Sequence, residues 1–374
     1  MNERSITRHV FWTILIVIGQ WCGSASASGV PREQLSERYY LTVDQLQRAY
    51  RVYLPTRYDG TTPLPLVLVF HGRFQNARDI AEWTDFNAAS EEHGFIAVYP
   101  IGIKGHWNDG RIAIPIMAAG NHDDVGFVKT LLAHLEATLA IDPTRIYATG
   151  MSNGAMFVQR LACELPGIFA AIGPVAGTLP SNVAPQCTPS QPVSVIEIHG
   201  TKDAYTHWDG GSVRGLGGKT LSVPKTIAHW RQLDSCPSTP DINYHPHRDQ
   251  RDQTRVRRET YGPCRSDTEV ALYAIEGGGH TWPGGPDDPR IFSGRVNRDI
   301  SATKLLLAFF EQHPKPTPFP LASASHTATP PPSASSLSQK QLSFAALSQL
   351  PTFSPDARGA LPLHKPPAND PGVH

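Results

Sequence analysis

Short apolar runs alternate with stretches of helical spacing through the middle of the chain. Runs of four to seven mostly apolar residues indicate strands buried on both faces, as in a parallel sheet covered by helices. They lie at residues 64–70, 95–99, 146–149, 169–175, 193–199 and 270–275. Apolar positions three and four apart predict helices at residues 80–93, 125–139, 155–165, 221–233 and 300–310. Strands alternating with helices predict an α/β fold with a doubly wound, mostly parallel sheet.

The segments around these elements are more polar. Residues 28–47 are predicted to be a lead-in, and the alternating residues 49–54 predict an outer strand. Residues 102–121 are predicted to form a long loop. Residues 237–260 are polar and turn-rich, and the run Arg255-Val256-Arg257-Arg258 favours a solvated hairpin face.

Residues 145–156 join a short apolar strand, a turn between glycines and the start of a helix. The turn, Gly150-Met151-Ser152-Asn153-Gly154, fits G-x-S-x-G, the pattern of a nucleophile elbow. In such a turn the serine has a strained backbone conformation. The glycines two residues before and after it carry no side chain that would collide there. An ordinary turn is the alternative, but the strand before and the helical spacing after it favour an elbow. Ser152 is then expected to present its hydroxyl at the N-terminus of the next helix.

A serine hydroxyl becomes a good nucleophile only when a base takes its proton and an acid holds that base. After G-x-S-x-G these partners follow in the order acid, then histidine, on loops behind later strands. Asp203 is the first carboxylate after the strand at 193–199, and His280 follows three glycines after the strand at 270–275. The sequence therefore predicts Ser152, Asp203 and His280 as a catalytic group.

Simpler roles compete for some of these residues. An ordinary loop histidine is the alternative for His280. For Asp203 the alternative is a turn carboxylate, with Asp209 as the competing acid. His71 and His199 each end a strand beside a glycine, which favours loop bracing by hydrogen bonds over titration in catalysis.

Acyl transfer also needs hydrogen-bond donors for the developing oxyanion. One is expected from the backbone N–H of Asn153, directly after the serine at the helix N-terminus. The second is expected from the loop after the strand at 64–70, where the backbone N–H of Arg73 is the candidate.

Two tryptophans are candidates for substrate contact. Trp282 follows His280 by two residues and precedes Pro283, so its packing is expected to fix the histidine loop, and its indole can also form an apolar wall for substrate. Trp107, in the long loop, is the second candidate.

The two ends of the 374-residue chain differ from its middle. Arg4 and Arg8, the apolar residues 10–18 and a small-residue site ending at Ala27 predict an export signal at residues 1–27, with an uncleaved anchor as the alternative. Residues 28–313 are then the catalytic domain. Residues 314–374, rich in Pro, Ser, Ala and Thr, predict a disordered tail.

We expect a secreted or periplasmic protein without stable membrane insertion. Its formal net charge of +0 indicates no nucleic-acid partner.

Signal cleavage would leave four cysteines, namely Cys163, Cys187, Cys236 and Cys264. An even number in an exported chain favours disulfides, and four cysteines allow three pairings. Pairing of neighbours closes the two shortest loops that do not overlap. No cysteine or histidine cluster has the spacing of a zinc site. Acyl transfer through serine, acid and histidine needs no metal or other cofactor, so none is expected.

Six segments together resemble a known family. They are Leu-Val-Phe-His-Gly, Trp-Asn-Asp-Gly-Arg, Asp-Val-Gly-Phe, Gly-Met-Ser-Asn-Gly, His-Gly-Thr-Lys-Asp and Gly-Gly-Gly-His-Thr-Trp-Pro-Gly-Gly, in that order between residues 50 and 310. In this they are similar to the poly(3-hydroxybutyrate) depolymerase family of α/β hydrolases, whose relatives include secreted feruloyl and acetylxylan esterases. The resemblance implies the α/β-hydrolase fold, with Ser152 as nucleophile, Asp203 as acid and His280 as base.

The resemblance also implies the neighbour pairing, Cys163–Cys187 and Cys236–Cys264.

Two features depart from the family. Arg73 stands where many relatives have a small residue or cysteine, and the tail does not resemble a folded polymer-binding domain. The leading hypothesis is a secreted serine esterase that hydrolyses carboxylic esters through an acyl-enzyme. The expected substrates are polymeric or oligomeric esters of the polyhydroxyalkanoate (3-hydroxybutyrate) type, or the feruloyl and acetyl esters of plant cell walls. A peptidase or amidase on the same fold, or a catalytically silent module that binds carbohydrate or polyester, is the alternative.

Overall fold

A computed structural model describes residues 38–111, 122–215, 217–287 and 293–316. The predicted export signal at 1–27 and the predicted tail beyond residue 316 lie outside the described residues. So does the second half of the predicted long loop, at residues 112–121. No helix within the described ranges combines the length and apolar character needed to cross a membrane.

The strands, in chain order, are β1 Arg38–Val43, β2 Leu46–Tyr53, β3 Leu64–Phe70, β4 Ile96–Ile101, β5 Ile141–Met151, β6 Ala171–Val175, β7 Ser194–Gly200, β8 Gly211–Ser212, β9 Lys219–Thr220, β10 Asp241–Tyr244, β11 Arg255–Tyr261 and β12 Val270–Glu276. Within the described residues, one sheet holds ten of them in the order β1-β2-β4-β3-β5-β6-β7-β12-β11-β10. The strands from β4 to β12 in this order run parallel, and the two at each edge run antiparallel. The predicted mostly parallel sheet is confirmed.

Helices cover both faces of this sheet. They are α1 Ala77–Thr84, α2 Phe86–His93, α3 Asp124–Thr138, α4 Asn153–Glu164, α5 Val223–Leu233 and α6 Ala302–Gln312. Apolar residues of α3, α4 and α5 pack on one face, and those of α1, α2 and α6 on the other. Successive residues of β3 alternate between the two cores; Leu66 and Leu68 face the first, and Val67 and Val69 the second. A strand buried on both sides needs an unbroken apolar run, which explains why these strands were predictable.

The predicted lead-in at 28–47 is wrong from residue 38 onward. Residues 38–43 form β1, which pairs antiparallel with β2 from Arg38↔Arg51 to Val43↔Leu46. Asp44 and Gln45 make the turn, both with positive φ. Most of β1 is exposed, and only Leu41 and Val43 are half-buried against the core. The strand therefore carries a weak apolar signal and depends on its pairing with β2.

The prediction for residues 237–260 also needs correction, because this segment contains β10 and most of β11. The basic run at 255–258 lies on β11, between β10 and β12. Val256 is buried, while Arg257 forms ion pairs with Glu259 and Glu276, and Arg258 lies 3.7 Å from Glu269. The predicted hairpin is present, because β10 and β11 pair antiparallel, but the basic run lies inside the sheet order, and Arg257 and Arg258 are paired with glutamates.

The helix predicted at 80–93 is two helices, α1 and α2. Asp85 adopts the left-handed conformation (φ 56°, ψ 27°) and ends α1. The first helix begins earlier than predicted, because Asn76 and Asp79 form a capping box at its N-terminus.

Two disulfides close loops on the second half of the domain. Cys163 pairs with Cys187 and Cys236 with Cys264, across sequence separations of 24 and 28 residues. This is the pairing that the family resemblance implies. Loops of this size give each bond about 3 kcal/mol of stabilisation through the entropy of the unfolded chain.

Lys315 lies just beyond residue 313, the predicted end of the catalytic domain, and is hydrogen-bonded to that domain. The backbone N–H of Lys315 donates to the Thr144 carbonyl at 2.8 Å, and its ammonium group donates to the carbonyls of Gly167 and Ile168 at 2.9 and 3.0 Å. These bonds join Lys315 to β5 and to the turn that precedes β6.

Candidate active site

The turn between β5 and α4 has the geometry of a nucleophile elbow. Ser152 lies at φ 57° and ψ −119°, a conformation that L-residues rarely adopt. A Cβ atom at Gly150 would lie 2.7 Å from the Phe70 carbonyl oxygen, and one at Gly154 would lie 2.6 Å from that of His71. No side chain fits at either glycine. The end of β3 and the residue after it pass so close to this turn that both positions must be glycine, as in the G-x-S-x-G pattern.

Asp203 and His280 are hydrogen-bonded to each other. Asp203 follows β7, and its Oδ1 accepts the backbone N–H groups of Tyr205 and Thr206, both at 2.8 Å. Its Oδ2 lies 2.7 Å from Nδ1 of His280. The His280 loop follows β12 and is held by the backbone of residue 293, whose carbonyl accepts the His280 N–H at 2.6 Å. Two loops distant in sequence thus deliver a buried acid and an imidazole in contact.

The environment of Asp203 favours its ionised form. Burial alone would raise the pKa of this carboxyl, but the His280 charge and hydrogen bond, the His199 charge and the Thr206 N–H lower it, and the net direction is downward. Asp209, the competing acid, is exposed to solvent. The geometry therefore favours Asp203 as the partner of His280.

Trp107 lies in the core, which corrects its prediction as a substrate-binding residue. Its side chain is 0% exposed, stacks on Phe157 with ring centroids 5.2 Å apart, and donates its indole N–H to the His71 carbonyl at 3.0 Å. Its backbone N–H donates to the side chain of Asn153, whose amide group donates in turn to Asp109 at 2.6 Å. Trp107 ties the loop after β3 to the start of α4. Asp109, the acceptor for the Asn153 amide, completes this brace, and sequence reasoning missed it.

His71 braces the loop that carries Arg73. Its Nε2 accepts the N–H of Gly102 at 2.9 Å, so its Nδ1 is the donor toward the Gly72 carbonyl at 2.7 Å. Burial lowers the pKa of His71 to about 4, which keeps the ring neutral. The loop is held further by the bond from the Phe74 N–H to the Gly105 carbonyl, 2.8 Å long.

Trp282 also lies in the core instead of forming a wall of the cleft. The indole is 1% exposed, donates to Thr303 of α6 at 3.1 Å and meets Phe86 of α2 edge-on. The predicted substrate wall is therefore wrong, while the anchoring of the His280 loop agrees with these contacts. The burial of Trp282 could not be predicted from the sequence, because it comes from packing against α2 and α6.

We expect Trp282→Ala to reduce kcat/KM by the same factor for a short acetyl ester and a bulky aromatic ester. Removing a buried tryptophan leaves a cavity and costs about 3–5 kcal/mol of unfolding free energy. Urea unfolding and steady-state kinetics on both esters measure these effects. Trp282→Phe is the milder companion variant. A loss confined to the bulky ester would restore the substrate-contact role.

Ser152 and His280 line one open cavity of about 610 Å³. Its rim carries three aromatic side chains, those of Phe74, Trp83 and Tyr205, and the guanidinium groups of Arg73 and Arg214. Phe74 is 77% exposed and Tyr205 is 40% exposed. Sequence reasoning missed these aromatic residues, although Phe74 directly follows Arg73 and Tyr205 lies two residues after Asp203.

A larger cavity, of about 830 Å³, lies among the N-terminal ends of β6, β7 and the approach to β12. It is at the opposite edge of the parallel sheet from the elbow and contains none of the predicted catalytic residues. In the described part of the chain, no group of three or more His, Cys, Asp or Glu side chains could hold a metal ion. The cavity at Ser152 is the candidate active site.

Comparison with known proteins points to one family. Residues 48–189 match the family model described as "Esterase PHB depolymerase". NocK of Nocardia uniformis subsp. tsuyamanensis, whose name ascribes esterase activity to it, is 29% identical over 277 residues, which are 70% of this chain and 78% of that protein. Feruloyl esterase B of Piromyces equi is 25% identical over 238 residues, but these span 61% of this chain and 42% of that enzyme.

A solved structure supports the fold. The acetyl xylan esterase from Aspergillus awamori superposes with a TM-score of 0.51 at 15% sequence identity, over 74% of this chain and 99% of that one. The chain thus has the α/β-hydrolase fold, and its sequence is similar to those of esterases of the poly(3-hydroxybutyrate) depolymerase and feruloyl esterase type.

Proposed function

We propose that the protein is an exported serine esterase that hydrolyses carboxylic esters through an acyl-enzyme. The observation that carries this proposal is that Ser152, on a strained elbow, lines the same cavity as His280, which is bonded to a buried Asp203. A nucleophile, a base and an acid that holds the base are the groups this reaction needs.

Acylation follows from the arrangement of these groups. Ser152 Oγ attacks the ester carbonyl carbon while Nε2 of His280 takes the hydroxyl proton. The carbonyl electrons move to oxygen, and the N–H groups of Asn153 and Arg73 stabilise that oxyanion. The oxyanion then collapses, the bond to the alcohol oxygen breaks, and His280 returns its proton to the departing alcohol. Asp203 holds Nδ1 and stabilises the imidazolium throughout.

Deacylation repeats these steps with water as the nucleophile. His280 takes a proton from water as its oxygen attacks the acyl carbon. Collapse of the second oxyanion breaks the bond to Ser152 Oγ, which recovers its proton from His280. The products are one alcohol and one carboxylic acid for each ester consumed.

The cleft favours extended or aromatic ester substrates. It is open, and exposed rings of Phe74 and Tyr205 offer flat apolar surface beside the nucleophile. Polyhydroxyalkanoate chains and the feruloyl or acetyl esters of plant cell walls meet this description, and the names of the relatives agree with it. Export is supported by the signal-like residues 1–27 and by the two disulfides, which persist in oxidising compartments.

A fluorophosphonate probe tests the proposal directly. Such a probe phosphonylates only a serine activated by its base, so we expect stoichiometric labelling that peptide mapping places on Ser152. Heat-denatured protein is the control and stays unlabelled. Absence of labelling on the native protein would favour the silent binding module instead.

A matched pair of ester and amide substrates then distinguishes the enzyme classes. We expect the purified protein to cleave feruloyl, acetyl or 3-hydroxybutyrate esters and to leave the corresponding amides uncleaved. Comparable rates on both members of a pair would favour the peptidase or amidase alternative.

A further inference from the structure

A chain of buried polar side chains runs beneath the loop that carries Asp203. It consists of Trp230 on α5, Gln159 on α4 and two residues of β7, Glu197 and His199, all at most 1% exposed. Polar groups at this depth are costly unless they are paired, and an apolar set would fill the same space. Their presence therefore calls for an explanation beyond packing.

The hydrogen bonds of this chain have a defined direction. Trp230 Nε1 donates to Gln159 Oε1 at 2.8 Å, which turns the Gln159 amide nitrogen toward Glu197 Oε2 at 3.0 Å. Glu197 Oε1 lies 3.1 Å from Nδ1 of His199. Burial raises the pKa of Glu197 to about 7. Burial acts to lower the pKa of His199, but the Glu197 hydrogen bond and the charges of Asp203 and Glu197 outweigh burial. The pKa of His199 is therefore raised. Glu197 and His199 thus form a hydrogen-bonded acid–base pair in the core.

His199 ends this chain directly at the acid loop. Its Nε2 lies 2.8 Å from the Thr206 carbonyl, which can only accept, so Nε2 carries a hydrogen. The same nitrogen lies 3.5 Å from Asp203 Oδ2, the oxygen that is bonded to His280. The backbone N–H of the same residue, Thr206, donates to Asp203 Oδ1 at 2.8 Å. His199 thus touches both the loop that holds the carboxylate and the carboxylate itself.

We propose that His199, oriented by Glu197, is a positioning residue that holds Asp203 in place and ionised against His280. The bond to Thr206 fixes the loop, and the N–H near Oδ2 offsets the loss of water around the buried carboxylate. This inference rests on the proposed catalytic role of Asp203. It assigns function to a histidine for which loop bracing alone was expected.

A double-mutant cycle between His199 and Asp203 tests it, with the rate constant for fluorophosphonate labelling as the measured quantity. We expect His199→Phe to lower this rate constant about 10- to 100-fold, the typical cost of misplacing a catalytic group slightly. In the Asp203→Asn background the same change is expected to cost less than about 3-fold, because residues acting as a unit are not additive. Steady-state kinetics should show the loss in kcat, with KM nearly unchanged.

Two further variants separate positioning from stability. Ile198→Ala alters the neighbouring buried residue of β7, whose side chain packs on the opposite face of the sheet. It is expected to lower unfolding free energy while leaving the labelling rate within about 2-fold. His199→Gln keeps an amide N–H and, if His199→Phe fails to fold, replaces it in the cycle with a smaller loss. The inference is overturned if the His199 effect is equally large in both backgrounds, or if Ile198→Ala reproduces it. Failure of Ser152 to label at all would instead reject the proposed function.

Discussion

A Ser152→Ala variant is expected to lose ester hydrolysis by on the order of 10⁶-fold in kcat, because the whole chemical step passes through this hydroxyl. The fold should be retained. Alanine keeps the Cβ atom and therefore the same backbone strain at φ 57°. The Ser152 N–H still donates to the Val175 carbonyl at 2.9 Å, so the elbow keeps its anchor. Substrate affinity should change little, because only one oxygen atom is removed from the cleft.

The experiment compares kcat and melting temperature of the variant with those of Ser190→Ala. Ser190 is exposed and lies shortly before β7 begins, at the edge of the sheet away from the elbow. That control should match the wild type in both measurements. If Ser152→Ala kept a tenth of the wild-type activity, the nucleophile would have to be another residue.

The centre of the sheet was predictable because its strands obey one simple constraint. A parallel strand buried on both faces must be apolar throughout, as β3 is from Leu66 to Phe70. The elbow was predictable for a related reason: its glycines are demanded by the close passage of β3, a local condition that the five residues must satisfy. Both signals lie within a few consecutive residues.

The edges of the sheet lacked such a signal. In β1 and β10 most side chains are exposed, so these strands differ little in composition from loops. Their stability comes from pairing with β2 and β11, partners that only the tertiary structure supplies. The break between α1 and α2 also lacked a signal in the sequence. There Asp85 adopts the left-handed conformation inside a run of otherwise helical spacing.

Side-chain burial was the other limit. Trp107 and Trp282 stand next to catalytic loops in the sequence, and this proximity suggested substrate contact. In the structure their indoles turn inward and donate to His71 and Thr303, respectively, so they support the loops from behind. The rings on the cleft rim belong to Phe74, Trp83 and Tyr205, which lie outside the family-like motifs.

The network behind Asp203 could not be read from the chain at all. Gln159, Glu197 and Trp230 come from three separate elements, which lie far apart along the chain. Only the packing of α4 on β5 and β6, and of α5 on β7, brings them together. Supporting groups of this kind depend on the fold, whereas the nucleophile, acid and base follow an order along the chain.

An Asp203→Asn variant is expected to lower kcat by about 10⁴-fold at neutral pH. In the wild type, Oδ1 accepts two backbone N–H groups and Oδ2 faces Nδ1 of His280. An asparagine there will keep its oxygen toward the two N–H donors and turn its NH₂ group toward His280. Nδ1 must then accept a hydrogen bond, which places the ring proton on Nε2. That nitrogen can no longer take the proton of Ser152, so the base is blocked although every heavy atom stays in place.

Asp209→Asn is the matched control, since it makes the same chemical change at the competing acid, which is exposed. We expect it to retain kcat within about 2-fold, because an exposed carboxylate with solvent around it contributes little to a distant charge. Circular dichroism and melting temperature establish that both variants are folded before rates are compared. The reverse pattern, with the large loss at Asp209 and the small one at Asp203, would transfer the role of the acid to Asp209.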